Sequence, residues 1–161
     1  MIPPMRFFSI ALPLLLVCLA SSGCATRTET FEVSVRNESA SPVIVWLTKL
    51  GGPEEEGWRT PESIAINFVV EDEQMGNVLV EPGETGETGK EKAKLDKDSR
   101  AVLRVYKGEM KMSEMLANGS DSPNRADTFL NPGMNQFTVT DADGKLTLTR
   151  TGQGQLPPAR R

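Results

Sequence analysis

Short runs in which every second residue is apolar constrain the fold of this chain more than any other feature. The clearest are residues 28–36 and 100–107. A period of two is typical of strands with one buried face. Residues 43–48 are apolar at every position up to Thr48, which predicts a more central strand. We expect 28–36 and 43–48 to pair as a hairpin, because turn-forming residues lie between them.

Gly, Pro, Asn and Asp interrupt the chain about every 8–12 residues, as in a β-sandwich. Residues 78–80 are predicted to form a short strand, and 128–150 a meander with turns at 131–133 and 141–144. Asp141-Ala142-Asp143-Gly144 also resembles part of a calcium loop, but the further oxygen ligands of an EF-hand are missing. We therefore expect a hairpin turn at 141–144.

Other segments have weaker patterns. Thr60-Pro61-Glu62 predicts the start of a short helix, with Pro at its first position, and 63–70 is interpreted as this helix turning into a strand. Residues 110–116 predict a second short helix, capped by Ser113. Residues 83–99 are mostly Gly, Glu, Lys, Asp and Thr. They predict either an exposed loop with an edge strand near 93–95 or a mobile segment.

Together these patterns predict about seven or eight strands and little helix. The expected fold class is all-β, an antiparallel immunoglobulin-like or transthyretin-like β-sandwich with one or two short helices. The sandwich domain is expected to span residues 31–150. Residues 151–161 are expected to be a disordered tail, because they carry Gly, Gln and Pro157-Pro158.

The amino terminus has the pattern of an export signal. Arg6 is its one charged residue, and 9–20 is an uninterrupted stretch without charge. Twelve helical residues rise about 18 Å, which is short of the roughly 30 Å hydrocarbon core of a bilayer. A permanent membrane span is therefore not expected there.

Ser21-Ser22-Gly23-Cys24 follows this stretch and resembles the lipobox of bacterial lipoproteins, although the family prefers an aliphatic residue where Ser21 stands. The resemblance implies that residues 1–23 are a signal peptide, that Cys24 carries lipid and that 24–30 is a short anchor linker. Ala25, where lipoproteins kept at the inner membrane have Asp, implies the outer membrane facing the periplasm. The alternative is cleavage after Ala25, which gives a soluble periplasmic protein.

Composition excludes several classes of function. Removal of residues 1–23 takes away only Arg6 from a net charge of −4 and leaves about −5. Nucleic acid is therefore not an expected partner, because its binding requires clustered Lys and Arg. The chain has no histidine, and Cys24 is the one cysteine after the signal. Histidine-dependent triads and the usual zinc sites are excluded. We expect no catalytic residues, no metal, no cofactor and no enzyme activity.

Trp58 is the one large apolar residue without an obvious place in the predicted core, since it lies in a polar loop beside Arg59. Trp and Arg are enriched at binding hot spots, so Trp58 and Arg59 are the candidate partner contact. The alternative is that Trp58 folds back and closes one end of the sandwich. The acidic residues at 54–56 are interpreted as a solvated loop.

A lipobox followed by an all-β domain containing Ser41-Pro42-Val43-Ile44-Val45 and Val80-Glu81-Pro82-Gly83-Glu84 is similar to the docking lipoproteins of type VI secretion systems. That resemblance implies a role in holding an envelope complex to the outer membrane. The sequence therefore favours a non-catalytic envelope lipoprotein that binds another protein or supports an assembly. The alternatives are a loop-based site for a sugar, peptide or cation, and docking of a secretion system.

Overall fold

A computed structural model describes residues 26–66 and 77–154, which form eight strands and two short α-helices. Cys24, the expected signal peptide 1–23, residues 67–76 and residues 155–161 of the expected tail lie outside the described ranges. Within those ranges, no helix has the length and apolar character needed to cross a membrane. In chain order the elements are β1 (Arg27–Asn37), β2 (Val43–Leu50), α1 (Pro61–Ile66), β3 (Asn77–Val80), β4 (Thr85–Leu95), β5 (Arg100–Lys107), α2 (Met112–Ala117), β6 (Arg125–Phe129), β7 (Gly133–Ala142) and β8 (Lys145–Gly154).

The strands form two four-stranded sheets. The first sheet has the order β4-β1-β7-β8 and the second the order β3-β2-β5-β6. The predicted all-β sandwich with two short helices is confirmed. One pair departs from a purely antiparallel arrangement, because β1 and β7 run parallel from Phe31↔Gly133 to Asn37↔Val139.

The main core lies between the sheets and is built from the inward-facing half of each alternating strand. Every second residue of β1 from Phe31 to Val35 is at most 1% exposed, as the sequence predicts. Each such side chain contributes about 1.5–3 kcal/mol of transfer free energy. The other members are Val43, Val45, Leu47, Trp58, Val80, Ala93, Leu95, Ala101, Leu103, Val105, Leu130, Phe137, Val139 and Leu146.

A smaller apolar cluster lies on the outer face of the second sheet, beneath α1 and α2. Ile44 and Trp46 of β2 and Tyr106 of β5 pack there against Ile64 of α1 and Met115 of α2. This second layer explains why β2 is apolar on both faces, as expected for a central strand.

The predicted hairpin of β1 and β2 is wrong. Residues 38–42 carry the chain from the first sheet to the second, so the two strands face each other across the core. Alternation specifies which face of a strand is buried, not which strand pairs with it. Buried Asn37 holds the crossing. Its Nδ2 donates to the carbonyls of Ser41 and Val80, both at 2.9 Å, and its Oδ1 accepts from the amide and hydroxyl of Ser39.

The predicted meander is correct only in its second half. β6 belongs to the second sheet and β7 to the first, so the chain crosses again at 130–132. The side chain of Asn135 holds this crossing, with Nδ2 donating to the carbonyls of Asn131 at 2.8 Å and Gly133 at 3.0 Å. β7 and β8 form the expected hairpin. Its turn has positive φ at Asp143 (55°) and Gly144 (76°), as a two-residue loop requires.

Three strands are longer than the sequence pattern predicted. The segment 83–99, expected to be an exposed loop with an edge strand near 93–95 or a mobile segment, contains the eleven-residue β4, which includes 93–95 and pairs with β1 along the edge of the first sheet. Only Ala93 and Leu95 of β4 are buried, so the strand has little apolar pattern. β1 begins inside the expected linker 24–30, and β8 continues to Gly154, inside the expected tail.

Both short helices are present. α1 begins at Pro61 as predicted, and Thr60 Oγ1 accepts from the amide of Ser63 at 3.0 Å. Ser113 does not cap α2, because it lies inside the helix. Instead the Glu114 carboxylate accepts from the amide of Lys111 at 2.8 Å. The strand expected after α1 falls at residues outside the described ranges.

Candidate functional site at one end of the sandwich

Trp58 and Arg59 lie in the connection 51–60 between β2 and α1, which we call the 51–60 loop. β3 pairs only with Val43–Trp46, and no other described strand lies beside the rest of β2 on that side. The 51–60 loop occupies this place. The carbonyl of Trp58 accepts from Thr48 Oγ1 at 3.2 Å, and that of Arg59 accepts from Trp46 Nε1 at 2.9 Å.

Trp58 itself is a core residue, only 3% exposed. Its ring meets Phe31 edge-on, with centroids 5.4 Å apart, and its Nε1 donates to the carbonyl of Lys92 in β4 at 2.8 Å. The expectation that Trp58 contacts a partner required an exposed indole and is therefore corrected. The large apolar ring gains more from burial between the sheets, and its N–H finds an acceptor there. The alternative, closure of one end of the sandwich, describes its position.

A partly buried ion pair lies next to Trp58. The Lys49 side chain is 4% exposed, and its ammonium group lies 2.5 Å from Glu55 Oε2 and 3.1 Å from the carbonyl oxygen of Lys94. The same carboxylate oxygen accepts from the amide of Lys94 at 2.8 Å. Glu55, taken from the sequence as part of a solvated acidic run, is thus a structural residue. The sequence signal for it was weak: a lysine near the end of an apolar strand.

Three side chains of this region bind backbone groups of β4, the edge strand of the first sheet. Trp58 and Lys49 donate to the carbonyls of Lys92 and Lys94, and Glu55 accepts from the Lys94 amide. Unpaired backbone groups at a sheet edge otherwise offer a template for pairing with another chain. The 51–60 loop therefore protects this edge and joins the two sheets.

The environment of Glu55 favours its ionised form. Burial opposes ionisation of Glu55, but hydrogen bonds from the Lys49 ammonium and the Lys94 amide outweigh it and lower the pKa of Glu55 below its ordinary value. Glu55 is therefore negatively charged at neutral pH and balances the charge of Lys49.

A pocket of about 220 Å³ opens beside this ion pair. Drug-sized ligands usually occupy about 300–1,000 Å³, so this pocket suits a smaller molecule. Arg59 is half-buried at the pocket, and its Nε makes no hydrogen bond with the described residues. The site thus combines a balanced ion pair with one further cation. The lining residues are Lys49, Gly51, Gly52, Pro53, Glu54, Glu55, Trp58, Arg59, Thr60 and Ser63.

A second charged cluster, which the sequence did not reveal, joins α1 to the outer face of the second sheet. Arg104 Nη1 lies 2.8 Å from Glu62 Oε2, and Arg125 Nη2 lies 2.5 Å from Asp127 Oδ2. Burial opposes ionisation of Glu62, but hydrogen bonds from its own amide and from Arg104 lower its pKa overall. Both arginines are largely buried and paired, so this cluster holds the helix rather than a ligand.

The geometry includes no recognisable catalytic arrangement among the described residues. Nowhere in residues 26–66 and 77–154 do three Asp, Glu, Cys or His side chains come together in a way that could hold a metal ion. Of the residues singled out from the sequence, Trp58 and Arg59 are brought to the pocket. Cys24 lies outside the described residues, three positions before β1 begins at Arg27.

Arg27 pairs with Leu95, the last residue of β4. The chain therefore enters the sandwich at the end where β2 and β4 finish and β5 begins, which we call the N-terminal end. The 51–60 loop and its pocket lie at this same end.

Comparison with known proteins gives a distant likeness. No protein-family model matches the chain, and no curated protein matches it. Among solved structures it is similar to the crystal structure of the T6SS lipoprotein TssJ1 from Pseudomonas aeruginosa, with 12% sequence identity and a TM-score of 0.37. The match covers 80% of this chain and 100% of that one. A likeness at this level carries no conclusion about function.

Proposed function

We propose that this chain is an exported bacterial lipoprotein, cleaved before Cys24 and held at the envelope by lipid on that cysteine. The observation that carries the proposal is Ser21-Ser22-Gly23-Cys24 directly after an uncharged stretch. Several acyl chains anchor a protein stably, whereas one chain binds only marginally. Ala25 favours the outer membrane, facing the periplasm.

The start of β1 limits how far the sandwich would lie from such an anchor. Only Ala25 and Thr26 separate Cys24 from Arg27, the first residue of a strand. Three residue steps span at most about 11 Å when fully extended. An anchor on Cys24 would therefore hold the sandwich next to the membrane surface, whereas a long linker would let it range away.

We further propose that the anchored sandwich binds another envelope protein or supports an assembly, without catalysing a reaction. The absence of histidine from the sequence supports a non-catalytic role, because imidazole is the usual general base near neutral pH. Docking of a secretion-system complex is a specific form of this role. It is supported by the resemblance in 41–45 and 80–84.

Metabolic labelling with palmitate tests the anchor. We expect label on the wild-type protein and none on Cys24→Ala. Leu50→Ala, which leaves the lipobox intact, is the matched control and should be labelled like the wild type. Label that persists in Cys24→Ala would show that another residue is acylated or that the label is not on the protein, and would contradict the proposal.

Crosslinking in cells, followed by affinity purification, tests the interaction role. The affinity-tagged wild-type protein should capture a defined envelope protein. Cys24→Ala, released from the membrane, should capture much less of it, because a shared surface raises the local concentration of both partners. If neither the wild type nor Cys24→Ala captures an envelope protein at native expression levels, the proposed interaction role is wrong.

The pocket favours a second candidate, binding of a small ligand at the 51–60 loop. Arg59, a half-buried cation, lines this volume of about 220 Å³ together with the ion pair of Lys49 and Glu55. A thermal-shift screen against sugars, short peptides and cations tests it. A compound that raises the melting temperature of the wild type should have no effect on Arg59→Ala. No shift with any compound, or equal shifts with Arg59→Ala, would contradict a site at Arg59.

A further inference from the structure

Two large apolar side chains are exposed at the N-terminal end of the sandwich. Leu50, the last residue of β2, is 46% exposed, and Phe129, the last residue of β6, is 50% exposed. Arg100, the first residue of β5, pairs with Leu50, and its guanidinium carbon lies 5.0 Å from the centroid of the Phe129 ring. We call Leu50, Arg100 and Phe129 the end patch.

The end patch lies where the outer face of the second sheet is left uncovered. On β2, Ile44 and Trp46 face outward beneath the helices and are buried, whereas Leu50 on the same face is not. Single exposed apolar residues are common on protein surfaces and need no explanation by themselves. Leu50 and Phe129 differ from such residues because they lie at the end of the sandwich where β1 begins.

The residues before β1 join the sandwich at this same N-terminal end. β1 begins at Arg27, opposite the end of β4, and the turn 96–99 leads from there into Arg100. Cys24 is at most about 11 Å from Arg27. A lipid on Cys24 would therefore bring the N-terminal end of the sandwich to the bilayer.

We propose that the end patch is the surface on which the anchored domain contacts the phospholipid bilayer. Leu50 and Phe129 enter the headgroup region, and the Arg100 guanidinium pairs with lipid phosphate, for which its planar donors are well suited. This inference rests on the proposed lipidation of Cys24.

The other charges at this end set the tilt of the domain. Lys97 and Asp98 are both exposed in the turn before Arg100 and balance each other, so Arg100 remains the net positive charge of the patch. Glu54 and Glu56 are exposed on the 51–60 loop, beside the free edge of β2. Carboxylates gain nothing from contact with lipid phosphates, so the domain leans toward the end patch and holds the loop, with its pocket, away from the surface.

Single cysteines report the contact directly. Cys24 is the only cysteine after residue 23, so once it is modified an introduced thiol is unique. Leu50→Cys and Phe129→Cys would carry an environment-sensitive fluorophore in the full lipidated protein on vesicles of phosphatidylethanolamine and phosphatidylglycerol. The matched control is Leu79→Cys, because Leu79 is 47% exposed and pairs with Ile44. Ile44 is six residues from Leu50 along β2, a distance of about 20 Å.

The inference predicts blue-shifted emission and weak iodide quenching at positions 50 and 129 on vesicles, with strong quenching at 79. When detergent removes the vesicles, the emission of the fluorophores at positions 50 and 129 should change, and the emission at position 79 should not. If the protein floats with vesicles but all three positions are quenched alike, the end patch does not touch lipid and this inference is wrong. If Cys24 still reacts with maleimide, the lipidation itself is wrong, and the inference falls with it.

Discussion

Trp58 Nε1 lies 2.8 Å from the carbonyl oxygen of Lys92, so one side chain of the 51–60 loop satisfies a backbone group at the edge of the opposite sheet. The ring that makes this bond is 3% exposed and packs on Phe31 of the core. Trp58 therefore both fills the end of the sandwich and covers part of an open strand edge.

Removal of the indole N–H should separate these two contributions. Trp58→Phe keeps a ring in the core and loses the bond to Lys92, so we expect a loss of about 1–2 kcal/mol in the free energy of unfolding. Trp58→Ala also opens a cavity and should cost about 3–5 kcal/mol. Urea denaturation measures both. Equal losses in the two variants would show that the ring contributes nothing by packing.

Fluorescence should show the burial of Trp58 without a change in that residue. In Trp46→Phe it is the sole tryptophan, because the chain has two. We expect blue-shifted emission that acrylamide quenches poorly. Unfolding in urea should restore the emission of a tryptophan in water, which serves as the control. Emission near that of free tryptophan in the folded protein would mean that the ring is exposed.

The ion pair of Lys49 and Glu55 should show strong coupling. Glu55→Ala leaves the Lys49 ammonium buried without a counter-charge and should cost about 3 kcal/mol. In the Lys49→Met background the same substitution should cost less, since no charge is then left unpaired. The double-mutant cycle should give a coupling of about 1–3 kcal/mol. Additive effects would indicate that the two side chains do not interact.

The contribution of Glu55 should depend on pH in a defined direction. Its pKa in the folded protein lies below the ordinary value of 4.5, so the carboxylate stabilises the fold above that pH. The stability difference between the wild type and Glu55→Gln should be constant from pH 7 to about pH 5 and shrink as the pH falls through the folded pKa. If the stability difference grows as the pH falls, the pKa of Glu55 is raised in the folded protein and this prediction is wrong.

The hairpin between β7 and β8 should depend on Gly144. Its φ is 76°, and a Cβ there would meet no other atom within 4 Å, so any cost of Gly144→Ala comes from backbone strain alone. We expect about 1 kcal/mol of destabilisation. Gly57→Ala is the control, because a Cβ there is also unobstructed and its φ is not positive. If Gly144→Ala and Gly57→Ala lower the melting temperature equally, the positive φ of Gly144 is not the cause of the destabilisation.

The sequence predicted the layers of this fold better than the pairing of its strands. Alternation in β1 and β5 indicates which side chains are buried, and both strands were placed correctly. It does not say that residues 38–42 and 130–132 cross between the sheets. Those crossings depend on Asn37 and Asn135, whose buried hydrogen bonds are made with residues far away or across a turn. Only the part of β4 at 93–95 was among the predictions, because an edge strand needs few apolar residues and the rest of β4 has no apolar pattern.

The sequence singled out Trp58 and Arg59 but did not indicate how the fold uses them. Both line the pocket, yet the burial of Trp58 depends on Phe31 and Lys92, which are 27 and 34 residues away in the chain. Glu55 looked like one of three equivalent acids. Only the fold distinguishes it, by placing it between Lys49 and the amide of Lys94.

The central position of β1 has a mechanical consequence. A pull on the chain ahead of Arg27 acts along the length of β1, which is hydrogen-bonded to β4 on one side and to β7 on the other. Such a force shears many hydrogen bonds at once, whereas a pull on the end of a hairpin would open them one by one. If the proposed lipid on Cys24 tethers the domain at this point, the domain can bear load between the membrane and a protein bound to its far side.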